Sequence, residues 1–267
     1  MLARARVLQA RVLPRGWLDA LRQVSLFLAA YLAYRLVRGL VAGDAGEAFT
    51  HARDLILLES KMHVFVEPSI QAWASGSHFV IVLASWLYVN SQTTITIGAL
   101  LYIYLRHNER FYYVRNMFMI AMAVALVGYT VFPTAPPRFL PEWGFSDTVS
   151  NLTGLHVNHA SGSLTAVTNM YAAVPSMHVC FALMIGFTLA RLARHRVTAA
   201  LWLLYPLLMT FVIIVTANHF FIDAFLGALT AGASAWGASS LARARPQAWR
   251  FSRVATPPAP AQVGASG

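Results

Sequence analysis

The sequence predicts an all-α, polytopic membrane protein with six transmembrane helices, an interfacial amphipathic helix and a long outer loop. Hydrophobic residues make up 58% of its 267 residues, charged residues only 11%, and the mean hydropathy is +0.57. A soluble domain is about 45–50% apolar and about 25% charged. The apolar residues form long runs separated by short arginine-rich segments, which is the arrangement expected of helices that cross a bilayer.

The charge and cysteine content exclude several other classes of protein. The net charge of +10 comes almost entirely from arginine, since Lys61 is the only lysine. Because the arginines lie between apolar runs, they indicate membrane orientation and not a nucleic-acid partner. The single cysteine, Cys180, lies in an apolar run and is predicted to be a small buried hydrophobe, so neither an internal disulfide nor a cysteine metal site is expected.

The first elements in the chain are a basic arm, a helix and an amphipathic segment. Residues 1–16 carry four arginines and are predicted to form a cytoplasmic arm, and the first membrane helix spans 17–41. Arg38, near the end of that helix, is expected to extend to the outer surface. Apolar residues recur at helical spacing within 43–77, which favours one or two interfacial amphipathic helices over a solvated loop.

Five further membrane helices complete the predicted catalytic domain at 17–242. They are expected at 79–105, 116–132, 175–192, 197–216 and 218–241. The polar residues at 90–94 interrupt the first of these and are interpreted mainly as packing contacts between helices. The outer loop at 133–174 contains His156 and His159, which fit no catalytic spacing and are interpreted as solvated. Residues 243–267 are predicted to be a cytoplasmic tail, first basic and then proline-rich and disordered.

The distribution of charge predicts a topology in the cell membrane. With six helices and both termini in the cytoplasm, fifteen basic residues lie on the cytoplasmic side and five on the other. This is the bias expected of a multi-pass protein. The same assignment places three polar segments, 133–138, 175–178 and 218–223, together on the extracytoplasmic face. The sequence therefore predicts one shared site there.

Histidines in two of these segments are the candidate catalytic groups. His219 and Asp223 are four residues apart, so both would lie on one face of a helix. A carboxylate fixes the tautomer of an imidazole and stabilises its cation, so His219 is predicted to be a nucleophile that forms a phosphohistidine. His178 would protonate the departing alkoxide and then activate the acceptor. The alternative is that these are solvated or hydrogen-bonded polar residues at helix ends.

Two further residues are predicted to bind the phosphate. Arg138 has a planar, permanently charged side chain suited to phosphate oxygens, and Ser176 lies at the predicted start of the fourth helix. Pro175 is expected in the first turn of that helix, with the backbone N–H groups of Ser176, Met177 and His178 unpaired within the helix and pointing outward. No carboxylate cluster has a metal-binding spacing, so we expect a metal-independent reaction without a cofactor.

These segments resemble the type-2 phosphatidic acid phosphatase superfamily. The Pro-Ser-Met-His sequence at 175–178 and the His-Phe-Phe-Ile-Asp sequence at 219–223 look like its last two motifs. Residues 132–138 and 216–219 look most like the branch that contains inositol phosphorylceramide synthase. The resemblance covers about residues 55 to 235. It implies a six-helix membrane core, a nucleophile at His219 with its partner Asp223, a general acid at His178, and phosphate binding at Arg138 and Ser176.

The sequence departs from the phosphatase branch at three points. That branch has a lysine in its first motif, an arginine six residues before the nucleophile and commonly a glycine before the general acid. Here Ile213 and Met177 occupy the last two positions, and no lysine lies near the site. These differences favour a phosphodiester, or an acceptor other than water, over phosphatidic acid hydrolysis.

The expected activity is that of a lipid phosphatase or phosphotransferase with a lipid phosphate or phospholipid substrate. A non-catalytic lipid-binding or lipid-translocating protein is the alternative, although binding alone would not require His178, His219 and Asp223. A transporter is less consistent with the sequence because no inverted repeat is evident. The identity of the lipid, the acceptor and the oligomeric state stay open.

Overall fold

Helices dominate the computed structural model, which describes residues 13–40, 44–153 and 170–246. In that part of the chain there are nine α-helices, two 3-10 turns (Pro137–Phe139 and Pro141–Trp143) and no strand. The helices are α1 Gly16–Leu40, α2 Ala45–Lys61, α3 Glu67–Ser75, α4 His78–Arg106, α5 Asn108–Val131, α6 Thr148–Thr153, α7 Met177–Leu192, α8 Arg196–Val215 and α9 Phe221–Ala244. The predicted all-α class is therefore confirmed. His156, His159, most of the basic arm and nearly all of the predicted tail lie outside the described residues.

Three of the helices are long and apolar enough to cross a membrane: α4, α5 and α8. A span of the hydrocarbon core needs about 20 apolar residues. Helix α7 is apolar but has only 16 residues. Membrane association is therefore supported by the described helices, and the predicted count of six spans stays a prediction.

Helix α5 begins earlier than the sequence indicated. It starts at Asn108 and not near residue 116, so Arg115 lies inside the helix and not in a connection. Arg115 is only 1% exposed, and its guanidinium donates hydrogen bonds to Gln23 Oε1 at 2.6 Å and to Asn116 Oδ1 at 2.8 Å. Because these polar partners replace water, the charge can be accommodated between α1 and α5.

The amphipathic segment forms two helices, α2 and α3. The buried side of α2 has helical spacing and consists of Ala48, Ala52, Leu55, Ile56 and Glu59. Its apolar members pack against the segments that follow α5 and α8, including Leu140 and Phe220. The buried face of α2 therefore contacts protein, and a position of these helices at the membrane interface stays a prediction.

The polar residues in the middle of α4 make local and interhelical contacts. Ser91 is buried and its hydroxyl lies 3.3 Å from the Met209 sulfur on α8, while the Asn90 side chain donates to the Trp86 carbonyl on its own helix. The Ser91 contact agrees with the interpretation of this segment as packing between helices, whereas the Asn90 contact lies within α4.

The main core lies between α5, α7 and α9, and close helix contact there depends on glycine. Phe118, Cys180 and Ile185 are almost fully buried in this core. At Gly227 on α9, an added Cβ would clash with the Ser176 carbonyl oxygen at the start of α7. The absence of a side chain at Gly227 therefore lets the two helix starts approach each other.

Alanine at Gly227 is expected to destabilise the protein by about 1–3 kcal/mol, because the Ser176 backbone must move to admit a methyl group. The apparent melting temperature in detergent should fall accordingly. Gly232→Ala, on the same helix, is the matched control, since an added Cβ there meets nothing within 4 Å. Equal melting temperatures for the two variants would contradict this account.

Candidate active site

The segment that carries His219 connects α8 to α9. Helix α9 begins at Phe221 with Phe220 as its N-cap, so His219 precedes the helix. The prediction that His219 opens the helix is therefore wrong. Its Nδ1 nevertheless lies 3.2 Å from Asp223 Oδ2, because Asp223 occupies the third position of the helix and its carboxylate turns back towards the N-terminus. The same oxygen accepts the Phe220 N–H at 3.0 Å, as acidic residues at this position often do.

The surroundings of His219 keep its ring neutral. The residue is 5% exposed, and burial is the main cause that lowers its pKa, to about 3; the positive charges of Arg138 and Arg38 act in the same direction. The Ala173 backbone carbonyl opposes this shift. A neutral imidazole that donates its Nδ1–H to Asp223 carries its lone pair on Nε2. A ring in this state is suited to nucleophilic attack.

His178 faces His219 from a different helix. It is the second residue of α7, and the centroids of the two imidazoles are 5.8 Å apart with an edge-on orientation. On its other side His178 stacks on Tyr88 of α4, with a centroid distance of 4.4 Å and an interplanar angle of 23°. Packing by Tyr88 restricts the orientation of the ring, and a group bound between the two histidines would touch both.

Ser176 is the N-cap of α7 and is fully buried. Its backbone N–H donates to the Asp223 carbonyl at 3.0 Å. This N–H therefore has no partner within α7, as predicted, but it is satisfied by a residue of α9. The placement of Pro175 within the helix is wrong, since α7 begins at Met177. The Ser176 hydroxyl oxygen makes no hydrogen bond within the described structure. It is thus a buried polar group whose hydrogen-bonding capacity is not used by the described residues.

Arg138 lies in the first 3-10 turn, close to the segment before His219. Its backbone N–H donates to the Ala217 carbonyl at 2.8 Å, which joins the turn to that segment. Its Nε lies 3.8 Å from Asp147 Oδ2, and the side chain is 20% exposed. The guanidinium therefore keeps contact with solvent and a carboxylate partner while its charge still acts on His219.

The structure thus brings together all five residues predicted for the site, which come from three segments far apart in sequence. His219, Asp223 and His178 contact one another or face one another directly, Ser176 is hydrogen-bonded to Asp223, and Arg138 acts on His219 through its charge. The structure gives the positions of these five residues, and their chemical roles stay proposals.

Sequence reasoning missed a second arginine. Arg38 was expected to extend to the outer surface, but its guanidinium lies over the Tyr129 ring, 5.5 Å from the centroid. Tyr129 in turn donates to the Pro175 carbonyl at 3.4 Å, next to Ser176. Arg38 therefore brings positive charge from α1 towards the histidines. Its position could not be predicted, because an arginine in the last turn of a membrane helix looks the same in sequence whether it contacts lipid headgroups or the site.

Two glutamates were also missed as part of the site. Glu59 and Glu67 are fully buried, and each accepts a backbone N–H from the first turn of α9: Glu59 from Ile222 at 2.9 Å and Glu67 from Phe221 at 3.0 Å. The available signal was that Glu59 shares a helix face with Leu55 and Ile56. A carboxylate on the apolar face of an amphipathic helix indicates a buried partner.

The described helices of membrane-spanning length indicate a membrane-associated protein. Its candidate site consists of a buried histidine–aspartate pair with a second histidine opposite. The family model of the PAP2 superfamily matches residues 53–237, and the chain belongs to this superfamily. Members are typically phosphatases or phosphotransferases, which supports an enzymatic activity on a lipid. The match does not separate the branch that contains inositol phosphorylceramide synthase. Comparisons with curated proteins and with solved structures gave no match.

Proposed function

We propose that the protein is an integral membrane enzyme that transfers the phosphoryl or phosphodiester group of a lipid to water or to an alcohol through a phosphohistidine. The observation that carries this proposal is the buried His219–Asp223 contact with His178 facing it 5.8 Å away. Nothing in lipid binding alone requires a buried imidazole oriented by a buried carboxylate and faced by a second imidazole. The two rings together suit a two-step transfer.

In the first step Nε2 of His219 attacks the phosphorus of the lipid. A nitrogen–phosphorus bond forms, the bond to the lipid oxygen breaks, and His178, protonated while the anionic phosphate lies between the two rings, gives that oxygen its proton and becomes neutral. The Nδ1–H of His219 stays with Asp223, whose negative charge stabilises the cationic phosphohistidine. In the second step His178 takes a proton from water or an alcohol, the acceptor oxygen attacks phosphorus, and His219 is released.

The non-bridging phosphate oxygens are held by Arg138 and Ser176. The Arg138 guanidinium supplies a permanent charge that is partly open to solvent, and the buried Ser176 hydroxyl supplies a donor. Arg38 adds a second positive charge close to the site. Charge of this kind stabilises the transition state of phosphoryl transfer, in which negative charge is spread over the oxygens.

The charge of the site favours a phosphodiester substrate and an alcohol acceptor. The described basic groups that act on His219 are the two arginines Arg138 and Arg38. Ile213 is fully buried in an apolar cluster, so it contributes no charge where the phosphatase branch has arginine. A phosphodiester carries one negative charge where a phosphomonoester carries up to two, and it therefore needs fewer cations. The arginine distribution favours access to the site from the extracytoplasmic leaflet.

The decisive experiment measures two products with purified protein in detergent. The protein is incubated with phosphatidic acid or with a phosphodiester lipid such as phosphatidylinositol, with and without ceramide or diacylglycerol. Free phosphate and new lipid are both quantified. We expect new lipid from the phosphodiester and an alcohol, with little free phosphate, and no product from His219→Gln. Folded protein that binds these lipids but turns over none of them would favour the non-catalytic alternative.

A further inference from the structure

The first turn of α9 is held by three carboxylates from three different helices. Asp223 accepts the N–H of Phe220, Glu67 on α3 accepts that of Phe221, and Glu59 on α2 accepts that of Ile222, all at 2.9–3.0 Å. The N–H groups in the first turn of a helix have no partner within the helix, and the helix dipole adds partial positive charge there. Each carboxylate therefore satisfies a donor that would otherwise be left unpaired at the catalytic segment.

All three carboxylates are buried, with no exposed surface. Charges of the same sign in one buried region cannot all be maintained, so protons must be retained within the group. Glu59 and Glu67 accept the N–H groups of two adjacent residues, Ile222 and Phe221, and the Oε2 atom of each is buried without a protein donor among the described residues. A proton held between these two side chains supplies the missing donor and removes one of the negative charges.

We propose that Glu59 and Glu67 act as positioning residues for catalysis: sharing one proton, they hold the first turn of α9 and thereby set the position of His219 and Asp223. Neither glutamate touches the reacting atoms. The inference rests on the proposed function of the histidines. It also gives a role to α2 and α3, which would otherwise only cover the site.

The proton shared by Glu59 and Glu67 makes the geometry of the site depend on pH. Burial, together with the neighbouring Glu67, raises the pKa of Glu59 to about 9, and the N–H of Ile222 opposes the shift. The titratable groups that face Glu59 are Glu67 on α3 and Asp223 on α9. Below this pKa the shared proton is present. As the pH rises through it, a further buried negative charge forms, the carboxylates repel one another, and the first turn of α9 loses its position.

The test compares pH profiles of kcat and of the apparent melting temperature for the wild type and Glu59→Gln. Glutamine keeps an oxygen for the Ile222 N–H and offers an N–H to Glu67, so it imitates the protonated acid. We expect near-normal kcat at neutral pH, and we expect the alkaline fall in both profiles to move up by at least one pH unit. Glu47→Gln on the same helix is the control, because the Glu47 side chain is 55% exposed.

Glu59→Ala removes both hydrogen bonds and should lower kcat by about 10²-fold with little change in KM, since a shift of the nucleophile by about 1 Å costs that much. If this variant does not fold, Glu59→Gln alone still decides the question. An alkaline limb that is absent in the wild type, or unchanged in Glu59→Gln, would overturn the proposal. If the protein showed no turnover but Glu59→Gln still shifted the alkaline fall in melting temperature, the shared proton of Glu59 and Glu67 would be supported and the proposed function would be rejected.

Discussion

Glutamine at His219 should lower kcat by at least about 10⁴-fold, because the amide that replaces the imidazole has no nucleophilic lone pair at the position of Nε2. Glutamine is similar in size to histidine and places an amide in the same buried position, so the fold should persist. The hydrogen bond from His219 to Asp223 is lost, but the Phe220 N–H still pairs with that carboxylate. The measurement is the initial rate at saturating lipid together with the apparent melting temperature of the same preparation.

His195→Gln is the matched control for this experiment. His195 is an exposed histidine that precedes α8, away from the described site, and its replacement should leave the rate unchanged. Acid-labile phosphate bound to the wild-type protein after rapid quenching would report the intermediate directly. If the His219→Gln protein also carried acid-labile phosphate, or if its rate lay within tenfold of the wild type, His219 would not be the nucleophile.

The helices could largely be predicted from sequence because local hydropathy determines them. The boundaries of α4, α7 and α8 were predicted within about two residues, since polar or arginine-rich segments flank their apolar runs. The start of α5 was missed because Arg110 and Arg115 look like charges of a connection. Only tertiary structure shows that Gln23 and Asn116 can satisfy Arg115 inside the protein.

The identity of the site residues could be predicted better than the contacts that position them. His178, His219 and Asp223 were predicted from spacing and resemblance, because chemistry requires those residue types. The position of His219 before α9 was missed, since the start of that helix depends on carboxylates 154 and 163 residues away in the chain. Contacts of such range leave no local periodicity, so Glu59 and Glu67 could not be assigned as its partners from sequence alone.

The non-local contacts also explain why the site needs the whole fold. The backbone N–H of Arg138 reaches Ala217, that of Thr134 reaches Tyr171, and that of Ser176 reaches Asp223. The last bond joins two of the polar segments directly, and the other two join the segment 133–138 to residues shortly before the other segments, so the position of one catalytic group depends on the others. A change that separates α7 from α9, such as Gly227→Ala, should therefore affect Ser176 and Asp223 together.

Asparagine at Asp223 should lower kcat by about 10³- to 10⁴-fold and change KM little, because the lost interactions matter most in the transition state. Asp223 Oδ2 accepts from both the Phe220 N–H and Nδ1 of His219. An asparagine oxygen can accept from the same donors, but it lacks the negative charge that stabilises a phosphohistidine cation. If the amide is turned round, its N–H faces Nδ1 and favours the tautomer whose Nε2 is protonated and cannot attack.

Separate determination of kcat and KM for Asp223→Asn distinguishes this role from a structural one. The Asp223 backbone carbonyl still accepts the Ser176 N–H in the variant, so the contact between α7 and α9 should survive and the apparent melting temperature should stay close to that of the wild type. Glu109→Gln, an exposed acid in the first turn of α5, controls for loss of a charge. A rise in KM as large as the fall in kcat would instead mean that Asp223 shapes the binding site, and that the orientation of His219 does not depend on it.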